Sequence, residues 1–244
     1  MYWYDMSYIL LLPAIIFTMY AQAKVQGNFK KYSQVRAMRG LTGAQAARRM
    51  LDASGLQDVA IEQIRGSLTD HYDPRDRVLR LSQTVYGVNS VAAVSVACHE
   101  AGHAIQHAEE YTPLLMRNNI VPIVNFASQL SWPLIVVGII LGASSGIGDT
   151  LFMVGVIAFL AVILFHAITL PVEFNASSRA MSHMESLGLI MDDEQRGARK
   201  VLNAAAMTYV ASLAMAIMNL IRILALRHRD SGYFINGFKP KDGL

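Results

Sequence analysis

His99, Glu100 and His103 have the types and spacing of a zinc-hydrolase centre, in the run His99-Glu100-Ala101-Gly102-His103. On a helix, positions i and i+4 share one face, with Cβ atoms about 5–6 Å apart. Two imidazoles so placed can reach one Zn²⁺ at about 2.0–2.1 Å. Glu100, beside the first histidine, can take a proton from a water at the metal. The bland alternative is a solvated helix that happens to carry two histidines. The preceding residues, Val91 to Cys98, oppose it: they are apolar apart from Ser95, so the helix is predicted to be buried. Buried imidazoles need partners.

Catalytic zinc usually has three protein ligands and one open position. His107 shares the face of His99 and His103, but lies two turns from His99, about 12 Å along the axis. It is predicted to be a rim histidine. A Gly turn followed by a distant third histidine is absent. Glu173 is the stronger candidate. It lies in Pro171-Val172-Glu173-Phe174-Asn175-Ala176, at the end of an apolar run, where an unpartnered carboxylate is costly. Pro171 suits the first turn of a helix. The alternative for Glu173 is therefore a helix-start charge facing the dipole. His166 is predicted to be a core histidine, and His183 and Glu185 to be solvated. Asp192-Asp193-Glu194-Gln195 reads as a capping box for another helix. The single cysteine, Cys98, excludes an intramolecular disulfide and any multi-cysteine zinc site. It is predicted to be a small buried packing residue. His71, Tyr72 and Arg179 are candidate donors to a tetrahedral oxyanion.

The elements that must position these residues are largely membrane helices. Hydrophobic residues make up 53% of the chain and charged residues 16%, against about 25% charged in soluble domains. The mean hydropathy is +0.33. Three apolar runs approach the ~20 residues needed to span a bilayer. They are Met6 to Ala23, Ile120 to Gly142, and Leu151 to Leu170. The first lacks a basic leader, with Asp5 before it and Lys24, Lys30 and Lys31 after it, the pattern of an uncleaved anchor with its N-terminus outside. A fourth run, Val201 to Leu226, carries Asn203, Thr208, Tyr209, Ser212, Asn219 and Arg222. It fits a buried core helix and a span equally well.

Twelve Lys/Arg lie between the first and second runs, and none from Ala143 to Thr150. Arg179, Arg196, Arg199 and Lys200 lie between the third and fourth. Basic loops stay cytoplasmic, so residues 24–119 and 171–200 are predicted to share the cytoplasmic side, joined through an outer turn at Ser144 to Asp149. The tail, with Arg227, Arg229, Lys239 and Lys241, is predicted to be cytoplasmic as well. A net charge of +3 does not suggest nucleic acid. The basic residues sit near membrane ends, where anionic lipid accounts for them.

The expected organisation is an anchor at 1–23, a cytoplasmic region at 24–119 and a transmembrane hairpin at 120–170. A helix bearing the third ligand follows at 171–200, then a buried or membrane-associated helix at 201–226 and a basic tail at 227–244. Within 24–119, Thr42 to Gln45 resembles a capping box for a helix that ends at Gly55. Val59 to Glu62 and Val78 to Ser82 read as strands, Asp73-Pro74 as a turn, and Asn89 or Ser90 as the cap of the motif helix. The Val78 strand is a candidate edge for binding an extended peptide. The fold class expected is mainly α: a multipass α-helical membrane protein with a small α+β zincin-like catalytic unit.

HEAGHAIQ, preceded by LTDHYDPRDRVLRLS (Leu68 to Ser82) and followed by PVEFNASSRA, resembles the YugP-like neutral zinc metallopeptidases. The resemblance runs from about Tyr2 to beyond Arg222. It implies a bacterial plasma (inner) membrane protein, one Zn²⁺ per chain and Glu173 as third ligand. More distantly, the layout is similar to the HtpX-like and CAAX-prenyl-protease-like gluzincins, whose metal glutamate opens an E-x-x-A-D pattern. Here Ser177 replaces the aspartate that would orient a ligand histidine, and Asn175, Asp70 or Asp73 are candidates to replace it. The expected activity is zinc-dependent endoproteolysis of membrane-associated or cytoplasmic proteins, with the bilayer as partner. Two other classes are a non-proteolytic scaffold or chaperone with a structural zinc, and a metal transporter. Intact Glu100 opposes the first. The second lacks intramembrane ligands, His166 being the only ionisable residue in the three clear spans.

Overall fold

The computed structural model describes residues 6–142 and 145–236. Asp5, Ser144, Lys239 and Lys241, which entered the orientation argument, lie outside these. A 3-10 turn leads into helix α1, Leu12–Ser33. Next come α2 (Gly43–Ala53), strands β1 (Ala60–Ile64), β2 (His71–Asp73) and β3 (Val78–Ser82), and the motif helix α3 (Val91–Ala108). Three long helices close the chain: α4 (Thr112–Leu141), α5 (Gly146–Ser186) and α6 (Gln195–Asn236). The protein is thus a mainly α membrane protein with a small sheet. Among the described residues, four stretches are long and apolar enough to cross a bilayer: Tyr8–Ser33, Thr112–Leu141, Gly146–Ser186 and Gln195–Arg227.

Among the described residues the chain forms two compact units. One takes the chain up to Thr18, Asn119–Ala167 and the chain from Ala211; the other takes Met19–Asn118 and Ile168–Val210. In the first, α4 and α5 close tightly through glycines. A Cβ on Gly138 would lie 2.6 Å from the Phe152 nitrogen, and one on Gly155 would lie 2.9 Å from that of Ile135. Small residues permit such approach where lipid supplies no hydrophobic drive. Ile135, Phe152, Val156 and Ile223 fill the space between α4, α5 and α6.

Of the predicted basic tail, Arg227 departs from the expectation, lying near the α4–α5 connection instead of away from it. Its guanidinium lies 2.8 Å from Asp149 Oδ1 and donates to the Gly138 carbonyl at 3.4 Å. This part of α6 therefore sits beside Gly138 of α4 and Asp149 of α5. The charge rule missed this because two of the groups nearest the turn neutralise each other.

The second unit is built as its local signals dictate. Thr42 Oγ1 accepts from the Gln45 nitrogen while Gln45 Oε1 accepts from the Thr42 nitrogen, the reciprocal capping box. Gly55, at φ +75°, follows the last turn of α2. Ser90, not Asn89, caps α3 by accepting from Ala93. Leu79 and Leu81 of β3 join α2, α3 and parts of α5 and α6 in one core.

The sheet order is β1-β3-β2, with β1 parallel and β2 antiparallel to β3. This overturns β3 as a peptide-binding edge, because both its sides are already paired. The edge strand on that side is β2, three residues long, and too short to announce itself by alternation.

Pro171 does not start a helix. It lies inside the continuous α5, so Glu173 is not a helix-start charge. Proline is tolerated within long apolar helices where neighbouring groups satisfy the freed carbonyl. The predicted capping box at 192–195 is also rearranged. Gln195 Nε2 reaches Asp192, but the Glu194 carboxylate accepts from the nitrogens of Met191 and Met38, tying the start of α6 to the segment after α1.

Candidate metal centre

The motif histidines project from α3 towards α5. Gly102, between them, permits this: a Cβ there would lie 2.8 Å from the Ala176 carbonyl oxygen. The close approach brings Glu173 Oε2 within 3.2 Å of His99 Nε2 and 3.6 Å of His103 Nε2. One ligand atom from each of the three residues falls within 4.8 Å of the others. The His99, His103 and Glu173 side chains are only 12%, 10% and 4% exposed.

The groups behind the ligands decide whether a metal fits. His99 Nδ1 lies 3.1 Å from Ser177 Oγ, and His103 Nδ1 lies 2.9 Å from Gln106 Oε1. Gln106 is itself fixed, because its amide donates to the Val172 carbonyl and to Asn175 Oδ1. With each Nδ1–H donating, each Nε2 lone pair faces the carboxylate, the tautomer that a zinc ligand needs. Two neutral imidazoles and one carboxylate form a normal catalytic zinc set. The second oxygen of Glu173 is held by Arg117, with Nη1 to Oε1 at 3.2 Å.

Ser177 thus occupies the place left by the missing aspartate, with a neutral hydroxyl instead of a charge. The sequence marked Ser177 only as the replacement of an orienting aspartate, and it did not mark Gln106. Gln106 was findable, because it stands at i+3 from His103 on one helix face. Asn175 acts one step further back, through Gln106. Asp70 and Asp73 do not touch the histidines. Asp70 accepts from the nitrogen and hydroxyl of Ser82, and burial raises its carboxyl above the ordinary range. Asp73 binds Arg80. Ser177→Ala and Gln106→Leu are each expected to weaken zinc about 10–100-fold without changing the fold. Competition with a chromophoric chelator measures this, and unchanged affinity in both would remove these groups from the site.

Glu100 borders two cavities, both of which it shares with Asp70, Glu173 and Tyr209. The smaller, about 170 Å³, is bordered by His71, Tyr72, His103, Arg117 and Asn118. Burial pushes the Glu100 carboxyl up to about 7. His99 opposes this, Glu173 and Asp70 add to it, and a backbone hydrogen bond from Tyr72 opposes it. A base near neutrality is well matched to proton transfer.

The remaining candidates fall in different places. His71 borders the smaller cavity, with Nδ1 against the Thr69 carbonyl. The Tyr72 hydroxyl lies 2.9 Å from His107 Nδ1, which holds His107 at the rim and out of the ligand set. Arg179 does not reach the cavities: it binds Asn175 and Glu109, which corrects its placing as an oxyanion donor. Tyr209, not singled out as a candidate, borders both cavities together with Glu173. Cys98 is fully buried, and burial pushes its thiol up to about 12.

Comparison with known proteins agrees with this geometry. Residues 7–228 match the family described as "Putative neutral zinc metallopeptidase". The chain is 48% identical over 228 residues to a Bacillus subtilis (strain 168) protein named "Putative membrane protease YugP", covering 93% of this chain and 96% of that protein. No solved structure matches. With nearly its whole length matched and a ligand set suited to zinc, the chain belongs to this neutral zinc metallopeptidase family.

Proposed function

We propose that the protein is a membrane zinc endopeptidase in which His99, His103 and Glu173 hold one Zn²⁺ and Glu100 is the general base. The observation that carries this is the convergence of the three ligand atoms beside a cavity that Glu100 borders. A structural zinc needs no such base. When bound, zinc acidifies a water and polarises the scissile carbonyl.

The chain's own residues do the rest. Glu100 accepts the proton of the attacking water and returns it to the leaving amine. The low exposure of the site strengthens each electrostatic contact. His71 and Tyr209 border the cavity of Glu100 and are the donors assigned to the developing oxyanion. An extended substrate lies along β2, the free edge of the sheet beside this cavity. Ser177, Gln106 and Arg117 hold the ligands in register. Peptide-level comparison of bacterial membranes containing the active protein or its Glu100→Gln form tests the activity. New termini are expected only with the active form, and identical peptide sets would overturn it.

The metal centre is assigned to the cytoplasmic side of a bacterial inner membrane, with all four apolar helices crossing. The basic excess lies with residues 24–118 and 179–200. A cysteine at Ser145 is expected to react with an impermeant thiol reagent outside intact cells. One at Gln45 is expected to react only after permeabilisation. Cys98→Ala removes the native thiol. The reverse labelling would invert the protein.

A further inference from the structure

The larger cavity beside Glu100 runs from the candidate ligands His99 and Glu173 to a set of apolar side chains that the metal and proton chemistry does not use. We propose that it is a specificity pocket for one bulky aliphatic or aromatic side chain of the polypeptide, at the residue next to the scissile bond. This rests on the endopeptidase reading. The cavity measures about 300 Å³, at the small end of ligand pockets. Its apolar wall is Val25 of α1, Val96 of α3, and Val201, Leu202 and Ala205 of α6, with Gln22, Asp70, Thr208 and Tyr209 as polar groups around it. His99, Glu100 and Glu173 form one side of it. A side chain inside is therefore adjacent to whatever bond stands before Glu100. The smaller cavity, which also borders Glu100, is the more polar of the two, adding Arg117, Asn118 and His71. The two are not interchangeable for a peptide, and the apolar one discriminates by size and hydrophobicity.

A second observation points to the same place. Leu68 borders the cavity with φ +57° and is 44% exposed. The left-handed region disfavours a bulky residue, and such strain concentrates at ligand sites. An exposed leucine at the rim also leaves apolar surface in water. A bulky apolar side chain entering the pocket covers it.

The test uses the full-length protein in detergent, zinc-loaded, and four peptides differing only at one position, as Leu, Phe, Ala or Asp. Binding is measured on the Glu100→Gln form by fluorescence anisotropy, and cleavage on the active form. The Leu and Phe peptides are expected to bind the Glu100→Gln form at least about tenfold more tightly than the Asp peptide, with Ala between. Adding Ala205→Phe, which fills the pocket, is expected to erase the gain for Leu and Phe with zinc content unchanged. Adding Leu68→Gly, which the backbone accommodates without strain, is expected to reduce it. Equal binding of the four peptides, or a preference untouched by both substitutions, would overturn the pocket. If the active form cleaves none of them, the endopeptidase reading fails, while the binding order still decides the pocket.

Discussion

Glu100→Gln is expected to keep zinc and fold while losing about 10²–10⁴-fold in kcat, with KM nearly unchanged. The amide preserves length and shape but cannot accept a proton at neutral pH. The fold should tolerate it well. Glu100 is a buried carboxyl that shares its cavity with Glu173 and Asp70, both of which push its protonation upward. Replacing it with a neutral group removes a repulsion and costs no candidate ligand atom, since the groups that converge are His99, His103 and Glu173. The kinetic loss arises because the base acts in the transition state and not in substrate binding. Loss of proton delivery to the leaving amine adds to it. Single-turnover cleavage, with zinc measured on the same sample, is the deciding experiment. Near-normal turnover by a fully metallated Glu100→Gln protein would sink the mechanism even with the metal site correct.

Local chemistry was legible in the sequence wherever it was written over a few adjacent residues. The capping box at Thr42, the stop at Gly55, strand Val78–Ser82 and the helix of His99 and His103 all formed as their spacing predicts. The hydrophobic runs marked the long helices because bilayer thickness leaves a coarse, length-based signal. What failed was information carried between distant segments. Strand β2 is too short to show a period. The pairing of β3 on both sides depends on a parallel partner from further back in the chain. Pro171 looked like a helix start because proline is common there, yet tertiary packing carried α5 through it. Ser177 looked like the loss of an orienting carboxylate that Asn175, Asp70 or Asp73 would have to replace. In a buried site a hydroxyl 3.1 Å from His99 Nδ1 can fix the tautomer as an aspartate would, and no single-residue pattern reveals that substitution. Arg227 misled for the opposite reason: its partner, Asp149, lies 78 positions away.

Glu173→Ala is expected to lose stoichiometric zinc, and with it all hydrolysis, whereas His107→Ala keeps both the metal and the fold. Glu173 is the only carboxylate in the ligand cluster. Its Oε2 is the atom nearest both imidazoles, and its Oε1 holds Arg117. Removing it leaves a two-histidine site short of a ligand and of neutralising charge. It also leaves the Arg117 guanidinium, 25% exposed, without this partner, which further disfavours a divalent cation nearby. Glu173→Gln separates these effects. Its amide oxygen can still accept from Arg117, so the helix packing is preserved, but a neutral oxygen binds zinc far more weakly than a carboxylate. Both variants should therefore emerge from desalting with little metal, the glutamine form with native helicity. His107 is two turns from His99 and its Nδ1 is engaged by the Tyr72 hydroxyl, so its loss should alter the rim and not the ion. Metal analysis on purified protein reads all three directly. A Glu173→Ala protein with a full complement of zinc, alongside a His107→Ala protein without it, would move the third ligand from α5 to the end of α3.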